Sequence, residues 1–204
     1  MRFVYGTGNE SKLLMMKDML SLLPVEIVGL RSVLTAIPQI EENGNNPLEN
    51  AVVKATAYYD VLKTPVFSCD SGLFIEELDD LHQPGVHVRT INGKYLTDDE
   101  MIAHYSSIAK KCGGSCHAVY RNAICLIYDN NHTYKYMGDD ISGESFIISS
   151  SPHPKRREGF PLDSLSVHID SGFYYFDLDQ KRSSSTATGF QNFFSSILHD
   201  LNLF

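Results

Sequence analysis

Tryptophan is absent from the 204 residues, and cations are scarce: 17 lysines and arginines against 25 aspartates and glutamates leave a net charge of −8. Such a chain is a poor match for a nucleic-acid polymer, whose phosphates require clustered Lys and Arg. It can still take a small polyanion through a few well-placed lysines and a metal ion. Long apolar runs are missing too, since none approaches the ~20 residues of a membrane span. Residues 1–10 carry neither the apolar core nor the cleavage site of a secretory signal. Four cysteines are too few for a disulfide scaffold at this length. These absences predict a reduced, cytoplasmic protein without membrane or nucleic-acid partners. No repeat, heptad run or low-complexity tract interrupts the chain. A hydrophobic content of 43% is enough for a full core, so one domain over residues 1–204, with room for two lobes, is expected.

What is present reads as alternating strands and helices. Residues 2–5 predict a short strand ending in Gly6-Thr7-Gly8-Asn9. From Glu10, the residues Leu13, Met16, Leu20 and Leu23 recur at helical spacing as far as Pro24. Residues 25–30 predict a second strand and 41–46 a polar loop. Asn46 as cap, Pro47 at the first helical position and Glu49 at the third mark the next helix start. Leu48, Val52, Ala55, Tyr59 and Leu62 are expected to form its apolar face, while Asn50 and Lys54, four apart, share another. Residues 65–69 predict a buried strand running into a turn at Asp70-Ser71-Gly72, with apolar 73–75 beyond it. Thr97 with Glu100 marks a capped helix to about residue 110. The second half is β-rich: residues 117–128 and 133–137 predict a hairpin, and 141–148 and 173–178 predict further strands. Phe190, Phe194, Ile197 and Leu201 belong to a last amphipathic helix. The pattern predicts a mixed α/β fold, its central sheet flanked by helices, in two lobes with an active-site cleft.

Three small constellations carry chemistry. Gly6-Thr7-Gly8-Asn9 precedes a helix whose first turn bears Lys12. Glycines allow close backbone approach, helix-start N–H groups favour anions, and the lysine adds a point charge. The same residues also suit a plain strand-to-helix turn capped by Asn9. A Walker A loop is excluded because no Gly-Lys-Ser/Thr ends the segment, and a dinucleotide fingerprint because Ser11 stands where the third glycine belongs. Cys69-Asp70-Ser71-Gly72 places an acid at the end of a buried strand, where it can bind a metal or orient water, or simply form a turn. Glu42 in the polar loop and Lys54 in the following helix are each also readable as solvated charges.

In order along the chain stand Thr7-Gly8-Asn9-x-x-Lys12, Glu42-Asn43-Gly44, Glu49-Asn50-Ala51-x-x-Lys54-Ala55, Asp70-Ser71-Gly72-Leu73 and Pro84-Gly85-Val86. This series resembles the inosine triphosphate pyrophosphatase family, house-cleaning enzymes that hydrolyse dITP, ITP and XTP to the monophosphate and pyrophosphate. The resemblance is close over residues 2–93 and loose beyond. It implies phosphate contacts at Thr7, Gly8, Asn9, Lys12 and Lys54, with Ser71 and Gly72 beside them. It also implies that Glu42 and Asp70 hold Mg²⁺ and activate the attacking water, and that the enzyme is a homodimer.

Several positions depart from the family pattern. Cys69 replaces the first of two consecutive acids, and a thiol is a poor Mg²⁺ ligand. In Gly159-Phe160-Pro161-Leu162-Asp163-Ser164, Leu162 stands where an aromatic ring stacks on the base, although Asp163 keeps its place. Lys181 matches the family's later lysine, but Ser185-Thr186-Ala187 lies over its Ser-His-Arg triplet, with Phe160 or Phe190 as substitute stacking rings. Two alternatives therefore stand beside the main expectation: a pyrophosphohydrolase for a different base, or a nucleotide-binding protein without turnover. Lys155-Arg156-Arg157 reads as a solvated loop or a phosphate contact. Cys112-Gly113-Gly114-Ser115-Cys116-His117 lacks the second ligand pair of a zinc site.

Overall fold

The computed structural model describes residues 1–178 and 185–203. In chain order it contains β1 (Arg2–Tyr5), α1 (Glu10–Met19), β2 (Glu26–Gly29), α2 (Pro47–Leu62), β3 (Val66–Ile75), β4 (Thr90–Ile91), β5 (Lys94–Tyr95), α3 (Asp98–Lys111), β6 (Ser115–Ile127), β7 (Thr133–Tyr136), β8 (Phe146–Ser149), β9 (Ser166–Val167) and α4 (Ser185–Asp200). The described residues divide into two compact units, one of 1–71, 121–143 and 185–203 and the other of 72–120 and 144–178. Among them no helix is long and apolar enough to cross a membrane.

In the first unit β1 pairs in parallel with β2 and with β3, giving the order β2-β1-β3. Strand alternation sends Phe3, Tyr5, Ile27 and Phe67 to one face and Val4, Val28 and Val66 to the other. Leu13 and Met16 of α1 and Phe190, Phe194 and Ile197 of α4 cover the first face. Tyr58 of α2 covers the second. The crossovers out of β1 and into β3 thus lie on opposite faces, so the strand order reverses between β1 and β3. That reversal opens a crevice at the carboxyl ends of parallel strands, where α/β folds bind ligands.

The capping signals act as expected. Asn9 accepts from the Lys12 N–H, Asn46 from the Glu49 N–H, and Thr97 and Glu100 form both halves of a capping box. The hairpin β6–β7 also forms, pairing Ile124 with Tyr136 through Ile127 with Thr133. In the second unit β6 pairs with β8 and β8 with β9, all antiparallel. Leu73, Ile75, Met101, Tyr105, Phe146, Ile148 and Leu162 make its core. The result is the expected mixed α/β fold with a sheet flanked by helices.

Four local expectations are corrected. Asp70-Ser71-Gly72 is no turn, because β3 runs straight through it to Ile75. Gly72 serves a close approach instead: a Cβ there would lie 3.1 Å from the Gly85 carbonyl oxygen, where Leu73 and Gly85 bridge. The buried stripe of α2 is Asn50, Ala51, Ala55 and Tyr58, so Val52 and Tyr59 sit at its flank. Residues 141–148 yield a strand only from Phe146, since Asp139–Ile141 is a 3-10 turn. Residues 173–178 hold a 3-10 turn at Tyr175–Asp177 and a single bridge, Tyr174 to Val167. The hairpin β4–β5 went unread although Asn92 and Gly93, both at positive φ, are a hairpin signature.

Candidate functional site

The turn after β1 is shaped by packing on one side and openness on the other. The Gly6 N–H donates to Phe67 O at 2.7 Å, and its carbonyl accepts from Ser68 Oγ at 3.2 Å. A Cβ at position 6 would lie 2.2 Å from Ser68 Oγ and 2.7 Å from Tyr58 Cδ2, so only glycine fits. Gly8, by contrast, meets nothing within 4 Å on its side-chain side. Its backbone is open to a ligand at the positive end of α1. Thr7 Oγ1 accepts from the Asn9 N–H at 3.2 Å, and Asn9 Oδ1 from the Lys12 N–H at 3.1 Å. Burial holds the Lys12 pKa below the ordinary lysine value, and neighbouring Lys54 pushes the same way, against Asp70, Cys69 and Glu42. No ion pair to another described residue compensates the Lys12 ammonium. A desolvated cation beside a second cation favours arrival of an anion.

The second cation is tightly held. Lys54 Nζ lies 2.8 Å from both Glu42 Oε2 and Asp70 Oδ1. Lys54 and Asp70 are almost covered, with side-chain exposures of 12% and 13%, whereas Glu42 is 40% exposed and its other edge faces outward. Burial alone would lower the Lys54 pKa, but Asp70 and Glu42 outweigh it and hold the ammonium charged. Asn50 braces the group from within α2. Its Oδ1 accepts from the Gly44 N–H at 2.8 Å and its Nδ2 donates to Asp70 Oδ2 at 3.1 Å. The 42–44 loop and β3 are thus tied to the same helical turn.

The structure brings together Lys12, Glu42, Lys54 and Asp70, with Thr7, Gly8 and Asn9 forming the adjacent turn. Ser71 faces Asn122 instead, donating to its Oδ1 at 2.7 Å, while Asn122 donates to Ile141 O. Cys69 packs with the Tyr5 and Phe67 cluster on the face of β3 opposite Asp70. Burial pushes its thiol up to about 12, opposed by a hydrogen bond from Tyr5. A neutral thiol on that face supplies no carboxylate-like ligand. Sequence reasoning missed Asn50, Tyr5 and Asn122 as supports. Only Asn50 carried a signal, its i,i+4 spacing from Lys54.

The expected base-binding positions differ in kind. Leu162 is a core residue, 4% exposed. Phe160 and Asp163 come together around Arg157, whose guanidinium lies 4.7 Å from the Phe160 ring centroid and 3.3 Å from Asp163 Oδ2. Lys155 and Arg156 are exposed and donate to backbone carbonyls, in keeping with a solvated loop. Thr186 is buried and donates to Ser142 O at 2.7 Å. Phe190 lies in the core of the first unit. Lys181 lies outside the described residues. Gly72 belongs to the second unit, at the Gly85 contact described above.

The chemistry of the donor set fits Mg²⁺. Glu42 and Asp70 are hard carboxylates converging on one cation position, which suits a metal bound through one or two carboxylates plus phosphate oxygens. Among the described residues no group of three His, Cys, Asp or Glu could form an all-protein cage. The fit is therefore to a metal shared with a polyanion.

Parallel strands reversing at a switch point, an open helix start and two ammonium groups beside paired carboxylates define a class: α/β proteins with a polyanion-suited crevice. The particular family follows from the comparisons. The model of the Ham1 family matches residues 3–185, and the chain belongs to that family. A dITP/XTP pyrophosphatase of Geobacter sulfurreducens is 27% identical over 175 residues, covering 84% of this chain and 82% of the relative. One from Campylobacter jejuni subsp. doylei is 26% identical over 193 residues, covering 91% and 90%. The solved structure of a HAM1 protein from Coxiella burnetii superposes with a TM-score of 0.74 at 25% identity, covering 98% of this chain and 99% of that one.

Proposed function

We propose that the chain is a nucleoside triphosphate pyrophosphatase that hydrolyses dITP, ITP and XTP to the monophosphate and pyrophosphate. The observation that carries this reading is Lys54 clasped between Glu42 and Asp70, next to Lys12, which has no ion pair among the described residues, at the open Gly8 turn. The relatives from Geobacter sulfurreducens and Campylobacter jejuni, both dITP/XTP pyrophosphatases by name, support the same reading.

In this reading the triphosphate lies along the start of α1. The Gly8 backbone and the Thr7 hydroxyl receive phosphate oxygens, Asn9 holds the turn, and Lys12 and Lys54 supply charge. Each such charge-assisted contact contributes about 1.5–3 kcal/mol. Glu42 and Asp70 would hold Mg²⁺, which when bound offsets phosphate charge and polarises the anhydride. Asp70, braced by Asn50 and Lys54, orients the attacking water toward the α-phosphorus and takes its proton. Positioning and charge stabilisation supply most of the acceleration, as expected for phosphoryl chemistry. A homodimer in the cytoplasm belongs to the same proposal and rests on the family resemblance and on the composition.

One observation favours a second reading with a different base. Leu162 is buried in the core and is not available to stack on a purine. A pyrophosphate-release assay with Mg²⁺ over dITP, ITP, XTP and the ordinary nucleotides separates the two. Preference for dITP or XTP supports the first, and preference for another base supports the second. No release above an Asp70→Asn control with any nucleotide overturns both.

A further inference from the structure

The sequence Cys112-Gly113-Gly114-Ser115-Cys116 plays no part in the proposed nucleotide site, yet it brings two thiols to the same core cluster. Cys112 caps the C-terminus of α3, and its N–H donates to Ile108 O at 3.1 Å. Gly113 and Gly114 then turn the chain at φ 94° and 116°, a conformation side chains resist, which returns Cys116 beneath the helix end. The Cys112 side chain neighbours the Cys116 thiol and helps to raise its pKa. Both pack on the core of the second unit, Cys116 fully buried and Cys112 half-buried at its margin. The neighbouring His117 is no third ligand: it lies on the other face of β6, exposed, with its ring and N–H held by Glu77. The pair is therefore a dithiol rather than part of a metal cage.

We propose that Cys112 and Cys116 form a redox-active dithiol, which a peroxide converts to an intramolecular disulfide and which captures trivalent arsenicals in its reduced form. The more accessible Cys112 reacts first. Its sulfur takes one oxygen from hydrogen peroxide, giving a sulfenic acid and releasing water. The Cys116 sulfur then attacks that sulfenic sulfur. The S–S bond forms, the S–O bond breaks, and the hydroxyl leaves as a second water with the Cys116 proton. Two thiols and one peroxide thus yield one disulfide and two waters. Burial, reinforced by Cys112, pushes the Cys116 thiol up to about 12, so it resists direct attack and serves as the resolving partner. The disulfide would fasten the end of α3 to the start of β6.

The test uses the full chain, treated with hydrogen peroxide, quenched and unfolded for thiol titration and peptide mapping. The expected result is a fall from four free thiols to two, with residues 112 and 116 in one cross-linked peptide that dithiothreitol separates. Phenylarsine oxide should bind once per reduced chain, and binding should be lost in Cys112→Ser, a change outside the core. Cys116→Ala provides a second variant that should lose the cross-link as well. Retention of all four thiols, cross-links between chains, or Cys112 trapped as sulfinic acid without Cys116 would overturn the proposal. So would undiminished arsenical binding by Cys112→Ser.

Discussion

Two cations, Lys12 after β1 and Arg157 before the 161–164 turn, show how differently the halves of this chain use charge. Lys12 is half-buried, its pKa is lowered, and no described residue forms an ion pair with it. Arg157 is exposed and already engaged, with Asp163 and the Phe160 ring as partners. The aromatic and apolar groups follow the same division. Tyr5 and Phe67 stack at 4.6 Å beside the turn that follows β1, whereas Leu162 fills core where a ring was expected to stack. A site keeps its charges uncompensated where a ligand is to compensate them. A segment that satisfies its own charges is built for structure.

The largest break in this contrast is expected from Asp70→Asn. It removes the charge that Lys54 and Asn50 position, and pyrophosphate release should fall about 10³-fold, in the range seen when one transition-state electrostatic group is lost. Leu162→Ala should act in the opposite currency. It should cost about 3 kcal/mol in urea unfolding, as for other buried leucines, while leaving base preference unchanged.

Lys12→Met should lower kcat/KM about 100-fold through loss of a charge-assisted phosphate contact. The same variant should unfold at higher urea, because burial disfavours the Lys12 ammonium in the folded chain. With its folded pKa below the unfolded one, that penalty is present at neutral pH and disappears as pH rises. Substrate binding has the opposite dependence: KM should climb as pH passes the lowered pKa, earlier than for an ordinary lysine, and Lys12→Arg should remove that limb. Thr186→Val should cost only about 1 kcal/mol by leaving the Ser142 carbonyl unpaired, with no change in base preference.

Features governed by short-range chemistry were legible in the sequence. The Asn9, Asn46 and Thr97 caps and the turn between β6 and β7 follow from neighbours within a few residues, whereas Lys12, Glu42, Lys54 and Asp70 were legible as a set only through the family resemblance. Asp70-Ser71-Gly72 misled because its composition is that of a turn, while its actual constraint, the Gly85 backbone, arrives from 13 residues along the chain. The face of α2 misled for a related reason: Asn50 is apolar by no scale, yet it is buried because Gly44 and Asp70 satisfy its amide. Leu162 read as a lost function, and the structure shows it as gained packing.

Lys54 has a consequence for how the protein stands before any substrate arrives. Two carboxylates drawn together would repel, and proteins that gather acids for a divalent ion often depend on that ion to stay folded. Here the ammonium acts as a resident counter-ion, covalently attached and always at hand. A chelator should therefore abolish turnover and leave the melting temperature where it was. The acid pair is maintained by the chain itself, through a charge that cannot be washed out.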